Sequence, residues 1–190
     1  MKTLRNSGIA IIASLLLGLT ILTIGIIKYL PLILANPSGA EEIIKNAMSP
    51  AYLIITALLG VIITVVIYLG YISLGKKLDN NFLAVIAWIS LALIIINNLI
   101  NTILSINHAT DTAVIFGILS GVSIMISYIF LGIGVYKLKN KIRLAKTTGL
   151  LYIIGAATTI ILIGAIILFI AQIFAVVMFF KASKKLEKNS

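Results

Sequence analysis

Five apolar runs, each long enough to cross a bilayer as a helix, dominate this sequence. A helix rises 1.5 Å per residue, so about 20 apolar residues are needed to cross a hydrocarbon core about 30 Å thick. Four spans of this kind are predicted, over residues 7–30, 51–74, 82–105 and 113–136. The fifth run, residues 147–180, holds 34 residues without a charged side chain. The runs predict an all-α, polytopic transmembrane helical bundle.

Composition supports a single membrane domain. Apolar residues make up 61% of the chain and charged residues 11%, against about 45–50% and 25% in soluble domains. No linker-like tract divides the 190 residues, so we expect one transmembrane domain over residues 1–190. Lys2 and Arg5 before the first run could indicate a signal peptide, but the run exceeds the apolar core of such a signal. We therefore predict a first span that ends near Leu30, where Pro31 would stop helical pairing.

The fifth run has two possible structures. As one straight helix it would measure about 51 Å, longer than a bilayer core requires. Lys and Arg concentrate in short cytoplasmic loops, and a hairpin that turns near residues 162–165 places 13 of the 15 basic residues inside. A single tilted helix places only 9 there. We therefore favour the hairpin with both termini cytoplasmic, and the tilted helix is the alternative.

The first extracytoplasmic loop carries a short helix signal. Ser38 and Glu41 have the spacing of a capping box, and Pro50 follows nine residues after Glu41. Apolar residues recur at helical spacing between them, which predicts an amphipathic helix over residues 39–48. It could act as a lid over a cavity, but we favour an ordinary connector at the membrane surface.

Amides interrupt the third span. Asn97, Asn98, Asn101 and Ser105 lie within an Ile-rich run, and spacings of four residues place side chains on one helix face. The stripe could form a polar path for a solute, with Asn97 and Asn101 as the main lining residues. We favour the alternative, hydrogen bonds between helices.

Glycines indicate where helices pack closely. Gly117 and Gly121 form a GxxxG step in the fourth span, and Gly155 and Gly164 offer a similar surface in the last run. Small residues let two helix backbones approach each other. We predict that these glycines pack within the bundle and do not form a dedicated dimer interface.

The densest positive charge lies between the fourth and fifth runs. Its basic residues are Lys137, Lys139, Lys141, Arg143 and Lys146. We interpret them mainly as a topology signal that contacts anionic lipid head groups, with Leu138, Ile142 and Ala145 dipping into the interface. The net charge of +10 follows from this orientation and does not indicate nucleic-acid binding.

The residue inventory argues against catalysis. The chain has no cysteine and one histidine, His108, and none of its five acidic residues falls inside a predicted span. Proton-coupled transport usually needs an ionisable group within the membrane, and hydrolysis needs a paired acid, a metal or an activated nucleophile. His108 and Asp111 are better read as a solvated pair than as metal ligands. We predict no enzyme activity and no catalytic, cofactor or metal site.

The last quarter of the chain carries a resemblance. The glycines of the segments Lys146–Ala156 and Ile160–Ala165, followed by Val177–Lys181, make residues 130–181 similar to a group of uncharacterised archaeal integral membrane proteins of unknown function. The resemblance implies a multi-pass protein of the plasma membrane and no activity. For function we favour a small accessory subunit that packs on other membrane protein subunits. A channel or carrier for a small neutral or polar solute is the alternative.

Overall fold

The chain folds into helices that pack as a closed ring. The computed structural model describes residues 2–36, 39, 50–107, 110–159 and 163–188. Within these ranges the chain forms six helices and no strand. They are α1 (Lys2–Ala35), α2 (Pro50–Lys77), α3 (Asn81–Ile106), α4 (Thr110–Tyr136), α5 (Ala145–Ala157) and α6 (Ile163–Lys188). Each packs on the next, and α6 returns to pack on α1.

Five helices have the length and composition to cross a membrane. These are α1, α2, α3, α4 and α6, and their apolar surfaces are largely exposed, as lipid contact requires. The predicted all-α transmembrane bundle is thereby confirmed, and the protein is a multi-pass membrane protein. The fifth run forms two helices and not one tilted helix.

The hairpin in the fifth run turns slightly earlier than the sequence predicted. Helix α5 ends at Ala157, whereas Ile163–Ala165 already belong to α6. Two threonines follow the last residue of α5. The hydroxyls of Thr158 and Thr159 donate to the carbonyls of Ile154 at 2.7 Å and Gly155 at 2.8 Å. Such bonds slightly destabilise and bend a helix, although Thr20 and Thr102 make the same bond within helices that continue. At 13 residues, α5 is about 20 Å long and shorter than a bilayer core.

Pro31 does not end the first helix, contrary to the prediction. Helix α1 continues through it to Ala35, and the backbone N–H of Asn36 donates to the carbonyl of Leu32 at 3.0 Å. Proline removes one donor, and helical bonding resumes one turn later. The predicted 39–48 helix falls almost wholly outside the described residues, as do His108 and the side chain of Asp111.

Both ends of the described chain lie at the same end of the bundle. A Cβ added to Gly8 of α1 would lie 3.1 Å from the ring of Phe180 in α6. The Lys185 ammonium donates to the Lys141 carbonyl at 2.7 Å, and the Lys141 ammonium in turn donates to the carbonyl of Leu78. We call this the basic end. It comprises Lys2, Arg5, Lys76, Lys77, Lys137, Lys139, Lys141, Arg143, Lys146, Lys181, Lys184, Lys185 and Lys188.

The protein core sits toward the basic end. Leu138, Ile142 and Ala145, which were expected to dip into the lipid interface, are only 1%, 5% and 0% exposed. They pack with buried side chains from α1 to α6, because the loop that follows α4 folds back onto the bundle. That expectation was wrong. The loop uses its apolar side chains for the core and its basic side chains for the surface.

Candidate functional site

Four tyrosines meet in the centre of the bundle. Tyr68 and Tyr71 lie on α2, Tyr128 on α4 and Tyr152 on α5. The rings of Tyr128 and Tyr152 stack with centroids 5.6 Å apart, and Tyr71 meets Tyr152 edge-on at 6.4 Å. The two hydroxyls of Tyr71 and Tyr152 lie 2.8 Å apart and share a hydrogen bond. We call these four residues the tyrosine cluster.

Close backbone contacts bring the tyrosine cluster together. A Cβ on Gly149 of α5 would lie 2.6 Å from the carbonyl oxygen of Gly132 in α4, so only glycine permits this approach. On the other side of the core, Gly70 of α2 lies against Ser7 of α1. The Ser7 hydroxyl donates to the carbonyl of Val66 at 2.7 Å. These contacts hold the helices near enough for side chains from three helices to meet.

A small polar cavity adjoins the cluster. Its volume is about 130 Å³, and its lining residues are Ile11, Ser14, Thr64, Ile67, Tyr68, Ile94, Tyr128, Tyr152 and Gln172. The Tyr128 hydroxyl hydrogen-bonds with the side chain of Gln172. Tyr68 is 4% exposed, and its hydroxyl has no hydrogen-bond partner among the described residues. Ser14 lies twelve residues beyond Lys2, which places the cavity about 18 Å from the start of α1.

The predicted amide stripe divides between helix faces. Asn98, Asn101 and Ser105 line a groove of about 240 Å³ between α2 and α3, together with Leu53, Thr56, Ala57 and Thr102. Asn97 is not among the residues of this groove, because neighbouring helix positions point about 100° apart. Its amide nitrogen is buried without a partner among the described residues. Of the pair expected to line a path, only Asn101 lies in the groove, and Asn98 takes the place of Asn97.

The predicted packing glycines behave in two ways. Gly155 and Gly164 lie at the α5–α6 hairpin, where a Cβ on Gly164 would lie 2.3 Å from the carbonyl oxygen of Gly155. Gly117 and Gly121 differ, since a Cβ at either would have no described atom within 4 Å. Among the described residues, the expected packing of these two glycines within the bundle is not observed. The short α5 leaves that part of α4 uncovered.

The basic loop presents its charges outward. Lys137, Lys139, Lys141, Arg143 and Lys146 are all exposed. The Lys137 ammonium lies 4.1 Å from the ring centre of Phe82, and that of Lys139 lies 4.9 Å from the ring centre of Tyr136. Such stacking holds a lysine stem near the bundle. The arrangement is suited to contact with anionic head groups, which remains a prediction.

The tyrosine cluster and Gln172 were missed from the sequence. All seven tyrosines fall inside the five predicted apolar runs, and Tyr68 and Tyr71 have the three-residue spacing that places side chains near one another on a helix. This spacing was the available signal. In the described part of the chain no group of three or more His, Cys, Asp or Glu side chains gathers as a metal site would require.

Comparisons with known proteins add no assignment. The resemblance of residues 130–181 to uncharacterised archaeal membrane proteins therefore stays a prediction. The chain matches no protein-family profile, no curated protein and no solved structure.

Proposed function

We propose that this membrane protein is a non-catalytic accessory subunit that packs on a larger membrane complex. The observation that supports this proposal is the pair of uncovered glycine faces on α1 and α4. Gly18 and Gly25 on α1, like Gly117 and Gly121 on α4, have no described atom within 4 Å of an added Cβ.

The two glycine faces continue the wall of the central cavity. Positions that differ by 4, 7 or 11 residues share a helix face. Gly18 and Gly25 therefore lie on the same face of α1 as Ser14, and Gly117 and Gly121 lie on the same face of α4 as Tyr128. Ser14 and Tyr128 both line the cavity. The glycine faces therefore point toward the part of the bundle that lies farther from the basic end than the cavity, where α5 does not reach.

A transmembrane helix of another subunit is the occupant we propose for this space. Lipid tails are as apolar as leucine side chains, so helices associate in a bilayer mainly through close packing and hydrogen bonds. Glycine faces permit such packing.

Native extraction tests the proposal. After solubilisation in mild detergent, the wild-type protein should migrate on a native gel with other polypeptides, in a band well above its 20.4 kDa. The double variant Gly117→Leu/Gly121→Leu should release the partners while the chain itself stays folded, because both sites are open. Ile118→Leu, on the same helix and 65% exposed, is the matched control. Migration of the wild type alone as a small species would overturn the proposal.

The groove between α2 and α3 favours a second candidate, a channel or carrier for a small neutral or polar solute. Asn98, Asn101 and Thr102 face Thr56 there, at a depth where amides are disfavoured in contact with lipid. Reconstituted liposomes would test this by solute flux measured from swelling in glycerol. Loss of flux in Asn98→Leu/Asn101→Leu, but not in the loop variant Asn140→Leu, would support a path. Wild-type liposomes that swell no faster than empty ones would exclude it for this solute.

A further inference from the structure

We propose that the cavity beside the tyrosine cluster binds a small uncharged solute that both donates and accepts hydrogen bonds. This site is distinct from the glycine faces and from the α2–α3 groove, and the proposal does not depend on a partner subunit. Its wall combines hydroxyls from Ser14, Thr64 and Tyr68 with the amide of Gln172. Hydroxyl and amide groups each act as donors and acceptors.

The hydroxyl of Tyr68 supplies the main reason to expect a ligand. It belongs to a buried side chain that lines the cavity and has no hydrogen-bond partner among the described residues. Buried polar groups in proteins are nearly always paired, with protein or with a bound molecule. The nearby hydroxyls of Tyr71 and Tyr152 already bond to each other, and that of Tyr128 interacts with Gln172. A ligand in the cavity would give the Tyr68 hydroxyl a hydrogen-bond partner, so that all four tyrosine hydroxyls would be paired.

Charge limits the class of ligand. The described residues that line the cavity carry no ionisable acid or base other than the tyrosine phenols. An ion at this depth would lose its hydration without meeting an opposite charge, which is strongly unfavourable. A neutral molecule loses only hydrogen bonds to water, and the wall can replace them. The site therefore favours uncharged ligands over ions of the same shape.

The volume of the cavity limits the size of the ligand. The cavity holds about 130 Å³, and a water molecule occupies about 30 Å³ in the liquid. The space corresponds to about four waters, or to one solute of about four to six non-hydrogen atoms. Urea and glycerol fall in this range and carry donors as well as acceptors. Ile11, Ile67 and Ile94 complete the wall, so one side of the ligand would meet apolar surface.

Saturation-transfer difference NMR in perdeuterated detergent micelles tests the site on the full chain. The probes are glycerol, urea and guanidinium, which has the planar shape of urea but a positive charge. We expect saturable signals from glycerol and urea and none from guanidinium. In Tyr68→Phe the Kd of both solutes should rise about tenfold, since one buried hydrogen bond is lost. Tyr29→Phe, on α1 outside the cavity, should bind as the wild type does.

Tyr68→Phe keeps the ring and removes only an unpartnered hydroxyl, so the variant is expected to fold. If it does not, Thr64→Val, which replaces a lining hydroxyl by a methyl group, gives the same comparison. Equal affinity in wild type and variant, a guanidinium signal as strong as that of urea, or no saturable signal from either neutral solute would each overturn the proposal. Absence of partner subunits from the native-gel band would not affect this ligand-binding proposal, because the cavity is formed by this chain alone.

Discussion

The hydroxyl oxygens of Tyr71 and Tyr152 lie 2.8 Å apart and join α2 to α5 across 81 residues of sequence. Both side chains are buried, at 1% and 2% exposure, and Tyr71 also packs on Phe179 of α6 with ring centres 4.8 Å apart. A polar link between two apolar helices thus lies at the point where α2, α5 and α6 converge. The link fixes which faces of these helices meet, because lipid offers no other partner for either hydroxyl.

The single variants Tyr71→Phe and Tyr152→Phe should each destabilise the protein by about 1–3 kcal/mol, since each leaves the other hydroxyl buried and unpaired. The double variant should lose less than the sum of the two, because no unpaired hydroxyl remains. Unfolding in mixed micelles with increasing SDS measures all three. Strictly additive losses would show that the two hydroxyls act independently.

Asn80→Ala should destabilise the bundle by about 1–3 kcal/mol, because one side chain makes two buried contacts. Its amide donates to the carbonyl of Gly134 at 2.8 Å, and its oxygen accepts from the N–H of Leu83 at 3.1 Å. The residue therefore caps α3 and ties the α2–α3 turn to α4. Asn140→Ala, at an exposed position in the loop between α4 and α5, is the control. Equal unfolding midpoints for both variants would contradict this role.

Gly149→Ala should destabilise the protein, whereas Gly117→Ala should leave its stability unchanged or raise it. At Gly149 the added methyl would meet the backbone of Gly132 and Tyr136 within 2.6 Å, and overpacking of this kind costs about 1–3 kcal/mol. At Gly117 the methyl has free space, and alanine favours helix by about 0.5–1 kcal/mol over glycine. Thermal unfolding in detergent should therefore show a lower Tm for the first variant and an unchanged or higher Tm for the second. A destabilised Gly117→Ala would indicate an intramolecular contact at that face.

Cysteine labelling should place Lys2 and Lys188 on one side of the membrane and Lys28 on the other. The chain contains no cysteine, so a single Lys→Cys variant at each position gives a signal without background. A membrane-impermeant maleimide applied to sealed inverted vesicles should label positions 2 and 188, if the basic end is cytoplasmic. In right-side-out vesicles only position 28 should react. Labelling of positions 2 and 188 from opposite sides would contradict the hairpin of α5 and α6.

The apolar runs alone were enough to predict a multi-pass helical bundle, because a helix is the simple way to satisfy backbone hydrogen bonds in lipid. The positions of Lys and Arg also indicated the hairpin, since charge opposes transfer across a membrane regardless of how helices pack. These properties depend on the transfer of each segment from water to lipid and require no knowledge of its neighbours. Local sequence signals predicted helix ends less well. Pro31 was expected to stop the first helix, but it lies within α1.

Only the tertiary structure decided which residues meet. Gly117 and Gly149 both lie in apolar helices of similar composition, yet one contacts nothing within the described chain and the other touches a neighbouring backbone. Asn97 and Asn98 are adjacent in sequence and differ in whether they face the α2–α3 groove. Tyr68 reaches a cavity whose other walls come from α1, α3, α4, α5 and α6. Such differences depend on the rotation and approach of each helix, which are set by packing in three dimensions and which hydropathy along one chain does not encode.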